Sequence, residues 1–160
     1  MTMKIFVYGT LLSEMGLSSY LMESSFLGYG IAAGVLYDLG GYPGLVEGTG
    51  AVYGELYDIN ENTLKCLDQI EGYSPENSSH SLYIRKEISV QSFTEGSFIN
   101  AYSYFYNHSI AGYRMIACGD YRRYQLEQQA IRQRDEQGQW YIAYGSNMDS
   151  VRLKDRLCMD

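Results

Sequence analysis

Residues 4–13 read KIFVYGTLLS and join a strand pattern to a polar turn. Residues 5–8 are β-branched or aromatic, which suits a buried strand, and Gly9 and Thr10 break the run where the strand would leave its sheet. The backbone N–H groups of Gly9, Thr10 and Leu11 are expected to open toward a following helix and form an anion nest, where Gly9 lets a ligand come close. The alternative is an ordinary turn that binds nothing.

The composition indicates one soluble globular domain with a β-rich core. The 160 residues are 46% hydrophobic and 19% charged, which is enough apolar content for a real core. The chain has 17 Tyr and 17 Gly but only 2 Pro, which favours twisted strands with aromatic faces over a helical bundle. The formal charge of -7 disfavours nucleic acid or an anionic membrane as a partner, so we expect a small molecule or a protein.

The cysteines and the N-terminus bear on the cellular compartment. Cys66, Cys118 and Cys158 are widely spaced and form no CxxC pair, which indicates neither a disulfide framework nor a zinc site. The N-terminus has no secretory pattern, and no apolar run reaches the length of about 18 residues that a membrane span needs. We therefore expect a cytoplasmic protein that does not associate with membranes.

Strand patterns and turn residues alternate through the first half of the chain. Residues 30–46 predict a strand, a Gly-Gly-Tyr-Pro turn at 40–43 and a second short strand, because Pro43 cannot donate in a ladder. Residues 50–59 alternate with period two and predict a further strand. Apolar residues at roughly helical spacing over 16–25 predict a short helix after the opening turn.

The second half of the chain predicts a hairpin and then a long helix. Residues 82–93 and 97–107 have the pattern of two strands, joined by a turn at Glu95 and Gly96. A long polar helix is predicted from Asp120, whose side chain suits the N-cap position. These elements agree with a β-rich core.

The helix that begins after Asn60 carries an acidic residue on its apolar face. Asn60 suits the N-cap, and Gly72 suits the stop beyond the last turn. Leu64 and Leu67 define the apolar stripe, and Glu71 falls between them on the helical wheel. A carboxylate there must be paired, lie at a pocket or take up a proton, since desolvation raises its pKa. Glu71 is therefore a candidate functional residue.

Other titratable residues are interpreted as structural. Glu71 itself has a structural alternative, in which it turns back to solvent or pairs with Arg85. Asp68 lies on the opposite flank of the stripe and is interpreted as a solvated helix residue. His80 and His108 belong to no metal or nucleophile motif, so we expect them at the surface or in loops.

Five segments, in order along residues 4–107, resemble the gamma-glutamylcyclotransferase-like family, and in particular its gamma-glutamylamine cyclotransferase branch. They are FVYGTLL at 6–12, LYDLGGYPGLV at 36–46, VYGELYDI at 52–59, LDQIEGYSP at 67–75 and LYIRKEISV at 82–90. The resemblance implies an α+β fold, a small mixed β-barrel with flanking helices. It also implies a cavity at one end of the barrel, lined by the Tyr-Gly-Thr-Leu turn and by the acid of the Glu-Gly-Tyr motif.

The resemblance also implies roles for residues of this chain. Glu71 would transfer protons, and the glutamyl group would be bound by the turn residues Tyr8, Gly9, Thr10 and Leu11. Tyr83 and Tyr104 are further candidates for substrate binding on the cavity wall. Tyr42 is interpreted either as a rim residue or as a turn residue before Pro43.

The implied reaction acts on a γ-glutamyl amine or a γ-glutamyl amino acid. The free α-amine attacks its own γ-carbonyl, closes the ring of 5-oxoproline and releases the amine, with Glu71 as general acid and base. The scheme needs neither a metal nor a cofactor. One alternative is a non-catalytic binding module for a small γ-glutamyl or carboxylate ligand. Another is a different acyl transfer, or cleavage of a γ-glutamyl-protected intermediate, with the same acid and turn.

The C-terminal segment repeats the opening of the chain. Residues 140–156, WYIAYGSNMDSVRLKDR, again have the order of strand, Tyr-Gly turn and helix start. We predict a gamma-glutamylcyclotransferase-like domain over 1–134, a linker over 135–139 and an incomplete second copy over 140–160. The chain would then be the first part of a tandem protein, or its tail would be reused by a neighbour. An apolar strand without a partner would pack on a second chain, as in a homodimer through 140–160, or be poorly ordered.

Overall fold

Five strands close into a barrel in the computed structural model, which describes residues 3–137. The strand order is β3-β1-β5-β4-β2, and β2 pairs with β3 to complete the ring. The β1–β5 pair is parallel and the other neighbouring pairs are antiparallel, so the barrel is mixed, as the sequence predicts. The strands are β1 Met3–Val7, β2 Ser25–Asp38, β3 Pro43–Ile59, β4 Tyr83–Ser92 and β5 Phe98–Tyr106.

Residues 3–137 contain two α-helices. Helix α1, Glu61–Ile70, begins after Asn60, whose side-chain oxygen accepts a hydrogen bond from the Thr63 N–H at 2.9 Å. Gly72 follows its end with a φ of 61°, which confirms both the predicted cap and the predicted stop. Helix α2 is Tyr121–Gln137. None of the helices within residues 3–137 is long and apolar enough to span a membrane.

Strand β1 is a buried strand of the barrel, and the opening turn follows it. It lies between β3 and β5, and its residues Ile5, Phe6 and Val7 are buried. Gly54 on β3 lies against its end, where a Cβ atom would stand 2.2 Å from the Val7 carbonyl oxygen. Only glycine fits at that distance, so β3 and β1 can approach closely where β1 leaves the barrel.

Three local features differ from the sequence prediction. Strand β3 runs unbroken over Pro43–Ile59, although the sequence predicted two separate strands there. Its pairing with β2 contains register shifts, which accommodate the glycine-rich stretch without ending the strand. The predicted helix over 16–25 is only a 3₁₀ turn at Ser18–Leu21. A two-residue strand, β6 Arg114–Met115, extends the sheet beside β2 and is too short to leave a periodic signal.

The barrel and its flanking segments form one compact unit that ends at Tyr124. Helix α2 continues beyond this boundary, and its last residues are the first three of the predicted linker over 135–139. The incomplete second copy over 140–160 and the homodimer through it lie outside the described residues. Both stay predictions.

Candidate active site

A cavity of about 320 Å³ lies where β1 leaves the barrel, a volume in the range of small-molecule sites. Every residue that the sequence analysis proposed for catalysis or substrate binding lines this cavity, as does Tyr42. Among the described residues that line it, Glu71 is the one with an ionisable carboxyl group. The lining residues are Phe6, Val7, Tyr8, Gly9, Thr10, Leu11, Leu17, Gly41, Tyr42, Pro43, Ile70, Glu71, Leu82, Tyr83 and Tyr104.

The turn after β1 lines the cavity with residues 9–11, which are called the amide turn below. The chain folds back through hydrogen bonds from the Leu12 N–H to the Gly9 carbonyl at 3.0 Å and from the Leu17 N–H to the Thr10 carbonyl at 2.9 Å. Within residues 3–137, no group accepts a hydrogen bond from the N–H of Gly9, Thr10 or Leu11. Adjacent free N–H groups on a concave wall suit a carboxylate or an oxyanion.

Glu55 holds the segment that follows the amide turn. Its carboxylate is fully buried on β3 and accepts hydrogen bonds from the Ser13 N–H at 2.8 Å, the Ser13 hydroxyl at 2.6 Å and the Tyr57 hydroxyl at 2.8 Å. The Arg122 guanidinium lies 3.0 Å from the same carboxylate and donates to the Ser13 carbonyl at 2.7 Å. Burial opposes ionisation, but these hydrogen bonds outweigh it and lower the pKa of Glu55.

Glu71 lies at the C-terminal end of α1, where its N–H donates to the Leu67 carbonyl at 2.9 Å. Its side chain is half-buried and lines the cavity beside Ile70, Leu82 and Tyr83. Desolvation by burial raises the pKa of Glu71 to about 7. No ion pair or side-chain hydrogen bond to Glu71 occurs within the described part of the chain. Its carboxyl group can therefore both accept and return a proton near neutral pH.

Arg85 pairs with Asp68 rather than with Glu71. The Arg85 Nη1 lies 2.5 Å from Asp68 Oδ2, and the Tyr104 hydroxyl donates to Asp68 Oδ1 at 2.7 Å. The guanidinium also lies over the rings of Tyr73 and Tyr102, at 5.3 and 5.1 Å from their centroids. The interpretation of Asp68 as a solvated residue is therefore wrong. Arg85 and Tyr104 are cross-strand partners on the β4–β5 hairpin, which brings both to the helix.

Three buried tyrosines of the cavity, Tyr8, Tyr83 and Tyr104, are called the tyrosine wall below. The Tyr8 hydroxyl donates to the Tyr104 carbonyl and the Tyr83 hydroxyl donates to the Pro43 carbonyl, each at 2.7 Å. The Tyr104 hydroxyl donates to Asp68, as described above. Burial raises the pKa of all three phenols, so each keeps its proton at neutral pH. Each proton is committed to an acceptor within the protein.

The remaining candidates for metal binding or catalysis lie elsewhere. His80 and His108 are exposed and line no part of the cavity, as the sequence predicts. Within residues 3–137, no group of three or more His, Cys, Asp or Glu side chains is placed to hold a metal ion. Glu55 was not among the predicted site residues; its one local signal is an acid flanked by apolar, aromatic and glycine residues over 51–57.

Comparison with known proteins assigns the family. Residues 5–123 match the sequence model of the family described as gamma-glutamyl cyclotransferase, AIG2-like. The chain therefore belongs to this family, and it is a gamma-glutamylcyclotransferase-like enzyme. This confirms the resemblance seen in the sequence motifs.

Individual relatives agree with this assignment. The chain is 35% identical over 120 residues to the gamma-glutamylcyclotransferase family protein YtfP of Escherichia coli (strain K12), covering 74% of this chain and 96% of YtfP. It is 34% identical over 125 residues to the gamma-L-glutamyl-butirosin B gamma-glutamyl cyclotransferase of Niallia circulans, covering 77% of this chain and 78% of that protein. Among solved structures, YkqA from Bacillus subtilis matches with a TM-score of 0.64 and 26% identity, covering 100% of this chain and 52% of YkqA.

Proposed function

We propose that this enzyme cyclises γ-glutamyl amines or γ-glutamyl amino acids to 5-oxoproline and releases the free amine. Membership of the family supports a cyclotransferase activity in general. The observation that carries the specific proposal is that one cavity is lined both by a half-buried carboxyl group with a raised pKa and by the amide turn. The reaction needs a proton acceptor near an oxyanion site, and these two features supply that pair.

The proposed mechanism assigns proton transfer to Glu71. The α-amine of the substrate is an ammonium group at neutral pH and must lose a proton before its nitrogen can attack the γ-carbonyl carbon. Glu71 accepts that proton, and the new carbon–nitrogen bond closes the five-membered ring. The carbonyl oxygen becomes an oxyanion, which the N–H groups of the amide turn stabilise.

Collapse of this intermediate completes the reaction. The carbon–nitrogen bond to the leaving group breaks as Glu71 returns a proton to the leaving nitrogen. Two protons pass in all from the α-nitrogen to the leaving nitrogen, so the lactam nitrogen keeps one hydrogen and the amine leaves as an ammonium ion. Ring closure within one molecule provides the high effective concentration of the attacking amine.

Release of 5-oxoproline from a panel of substrates tests the function. The panel contains γ-glutamyl amines, γ-glutamyl amino acids and glutathione. We expect at least one class to yield 5-oxoproline and free amine in equal amounts. Release of glutamate instead would indicate hydrolysis, and binding without any product would indicate the non-catalytic module; either result would contradict the proposal.

The pH dependence of turnover is expected to follow the Glu71 carboxyl group. The general base must be ionised in the free enzyme, and burial raises the pKa of Glu71 to about 7. The value of kcat/KM should therefore rise about tenfold per pH unit below this pKa and level off above it. Initial rates measured from about pH 5 to 8.5 check this. A profile that is flat from about pH 5 upward would mean a base with an ordinary carboxyl pKa.

A further inference from the structure

We propose that Asp68 is a positioning residue that fixes the Tyr104 hydroxyl as a hydrogen-bond acceptor for the α-ammonium group of the substrate. The inference rests on the proposed function, since it concerns the glutamyl head of that substrate. It starts from the contacts of one carboxylate: Asp68 Oδ1 accepts from the Tyr104 hydroxyl at 2.7 Å, and Asp68 Oδ2 lies 2.5 Å from the Arg85 guanidinium.

The direction of the Tyr104 hydrogen bond follows from this pairing. An ionised carboxylate has no hydrogen to give, so the hydroxyl proton of Tyr104 must point at Asp68. A phenol has a single proton, so only oxygen lone pairs remain for a bound molecule. Arg85 pairs with the other oxygen of Asp68, so the oxygen that faces Tyr104 is not the one used in the ion pair.

The other two tyrosines of the tyrosine wall also use their hydroxyl protons for hydrogen bonds within the protein. The hydroxyls of Tyr8 and Tyr83 donate to backbone carbonyls, which also cannot donate in return. The Tyr8 oxygen also accepts from the Leu45 N–H at 3.3 Å, so the oxygens of Tyr83, Tyr104 and Glu71 are the acceptors left for a molecule in the cavity that these residues line. The amide turn also lines the cavity, and its N–H groups have no acceptor within residues 3–137, so they are the donors available to a bound molecule.

This division matches the two ends of a glutamyl head. An ammonium group has three donors and no acceptor, so it suits the tyrosine wall and Glu71. A carboxylate or an oxyanion accepts only, so it suits the amide turn. An ammonium group held at the tyrosine wall would lie beside Glu71, the proposed base. Asp68 would thus act on the reaction through Tyr104, without touching the substrate.

Asp68 also has a structural role that an experiment must separate from this one. It lies one turn before Glu71 on α1, and its pair with Arg85 ties that helix to the β4–β5 hairpin. Loss of the side chain would therefore disturb stability as well as orientation. The substitution Asp68→Asn keeps the size of the group and changes the hydrogen-bond direction. The amide oxygen remains for Arg85, and the amide NH₂ faces Tyr104, so the Tyr104 proton is turned into the cavity.

The test measures binding and turnover in two backgrounds. The probes are γ-glutamylethylamide and its des-amino analogue N-ethylglutaramate, which lacks the α-ammonium group. We expect Asp68→Asn to raise KM and Kd for γ-glutamylethylamide at least about tenfold, because a hydrogen bond to a charged group is replaced by a repulsive contact. The Kd for the des-amino analogue should change by less than about twofold, since it has no ammonium group to lose the contact. Calorimetry in the Glu71→Gln background gives Kd without turnover.

Two matched variants separate positioning from structure. In a Tyr104→Phe background, Asp68→Asn should add nothing further to Kd, because the hydroxyl that it reorients is gone. Arg85→Gln breaks the ion pair but leaves Asp68 as the acceptor for Tyr104, so it should lower the melting temperature with little change in Kd. Equal effects of Asp68→Asn on both probes, or an undiminished effect in the Tyr104→Phe background, would overturn the proposal. Failure of the wild type to bind or convert γ-glutamyl compounds would instead overturn the proposed function.

Discussion

Glu71→Gln is expected to lower kcat for 5-oxoproline release by about 10²–10⁴-fold, the contribution typical of a general acid and base. The substitution removes the only carboxyl group that residues 3–137 place on the cavity lining, and it keeps the shape of the side chain. Folding should be unaffected, because burial already disfavours the ionised form of Glu71, and a neutral isostere avoids that cost. The assay is initial-rate release of 5-oxoproline, with the melting temperature measured on the same samples.

Two further measurements make this result specific. Glu76→Gln changes an exposed carboxylate on the nearby 3₁₀ helix Pro75–His80 and should leave kcat at the wild-type level. Binding of γ-glutamylethylamide by the Glu71→Gln variant should persist within about tenfold, because the amide turn and the tyrosine wall are intact. Wild-type turnover by Glu71→Gln would remove Glu71 from the mechanism, whatever the binding data show.

Glu55→Ala is expected to lower the free energy of unfolding by about 3 kcal/mol or more, because a hydrogen bond to a charged group contributes about 1.5–3 kcal/mol and the buried Glu55 carboxylate accepts several. The substitution removes the carboxylate that accepts hydrogen bonds from the Ser13 N–H, the Ser13 hydroxyl and the Tyr57 hydroxyl. It also removes the ion-pair partner of Arg122. Urea unfolding measures the loss. Turnover should also fall, because Ser13 closely follows the amide turn and would no longer be held.

The control for Glu55 lies on the same strand. Glu47 pairs with Lys86 at 2.7 Å but its side chain is 76% exposed, so Glu47→Ala should leave the urea midpoint close to that of the wild type. The contribution of Glu55 to the free energy of unfolding should decrease in acid. Because the pKa of Glu55 is lowered by folding, its contribution is complete above its unfolded pKa and is lost as the pH falls through the folded pKa. The wild type and Glu55→Ala should therefore converge in acid; a constant difference would argue against an ionised Glu55.

The sequence predicted the features that depend on neighbours in the chain. Asn60 and Gly72 mark the ends of α1 through capping chemistry that involves only a few adjacent residues. Glu71 stood out because helical periodicity alone places it on the apolar stripe. The gathering of Tyr8 and Glu71 into one cavity was predicted from ordered family motifs, since no local pattern contains it.

The parts that sequence reasoning missed depend on pairs that are distant along the chain. Asp68 was interpreted as a solvated helix residue because helical periodicity carries no information about β4, the strand on which its partner Arg85 lies. Glu55 is held by Ser13 and Arg122, which lie far on either side of it in sequence. Only closure of the barrel brings such groups together, and a helical wheel or a strand pattern cannot predict it.

The parallel pairing of β1 with β5 has a consequence for biosynthesis. Ile5 is made well before its neighbour Tyr102, which follows most of the barrel strands along the chain. Until then one side of β1 has no strand beside it, and an apolar edge of this kind favours association with other chains. Closure must wait for β5, so we expect slow, non-local folding in which the nascent strand β1 depends on shielding by chaperones.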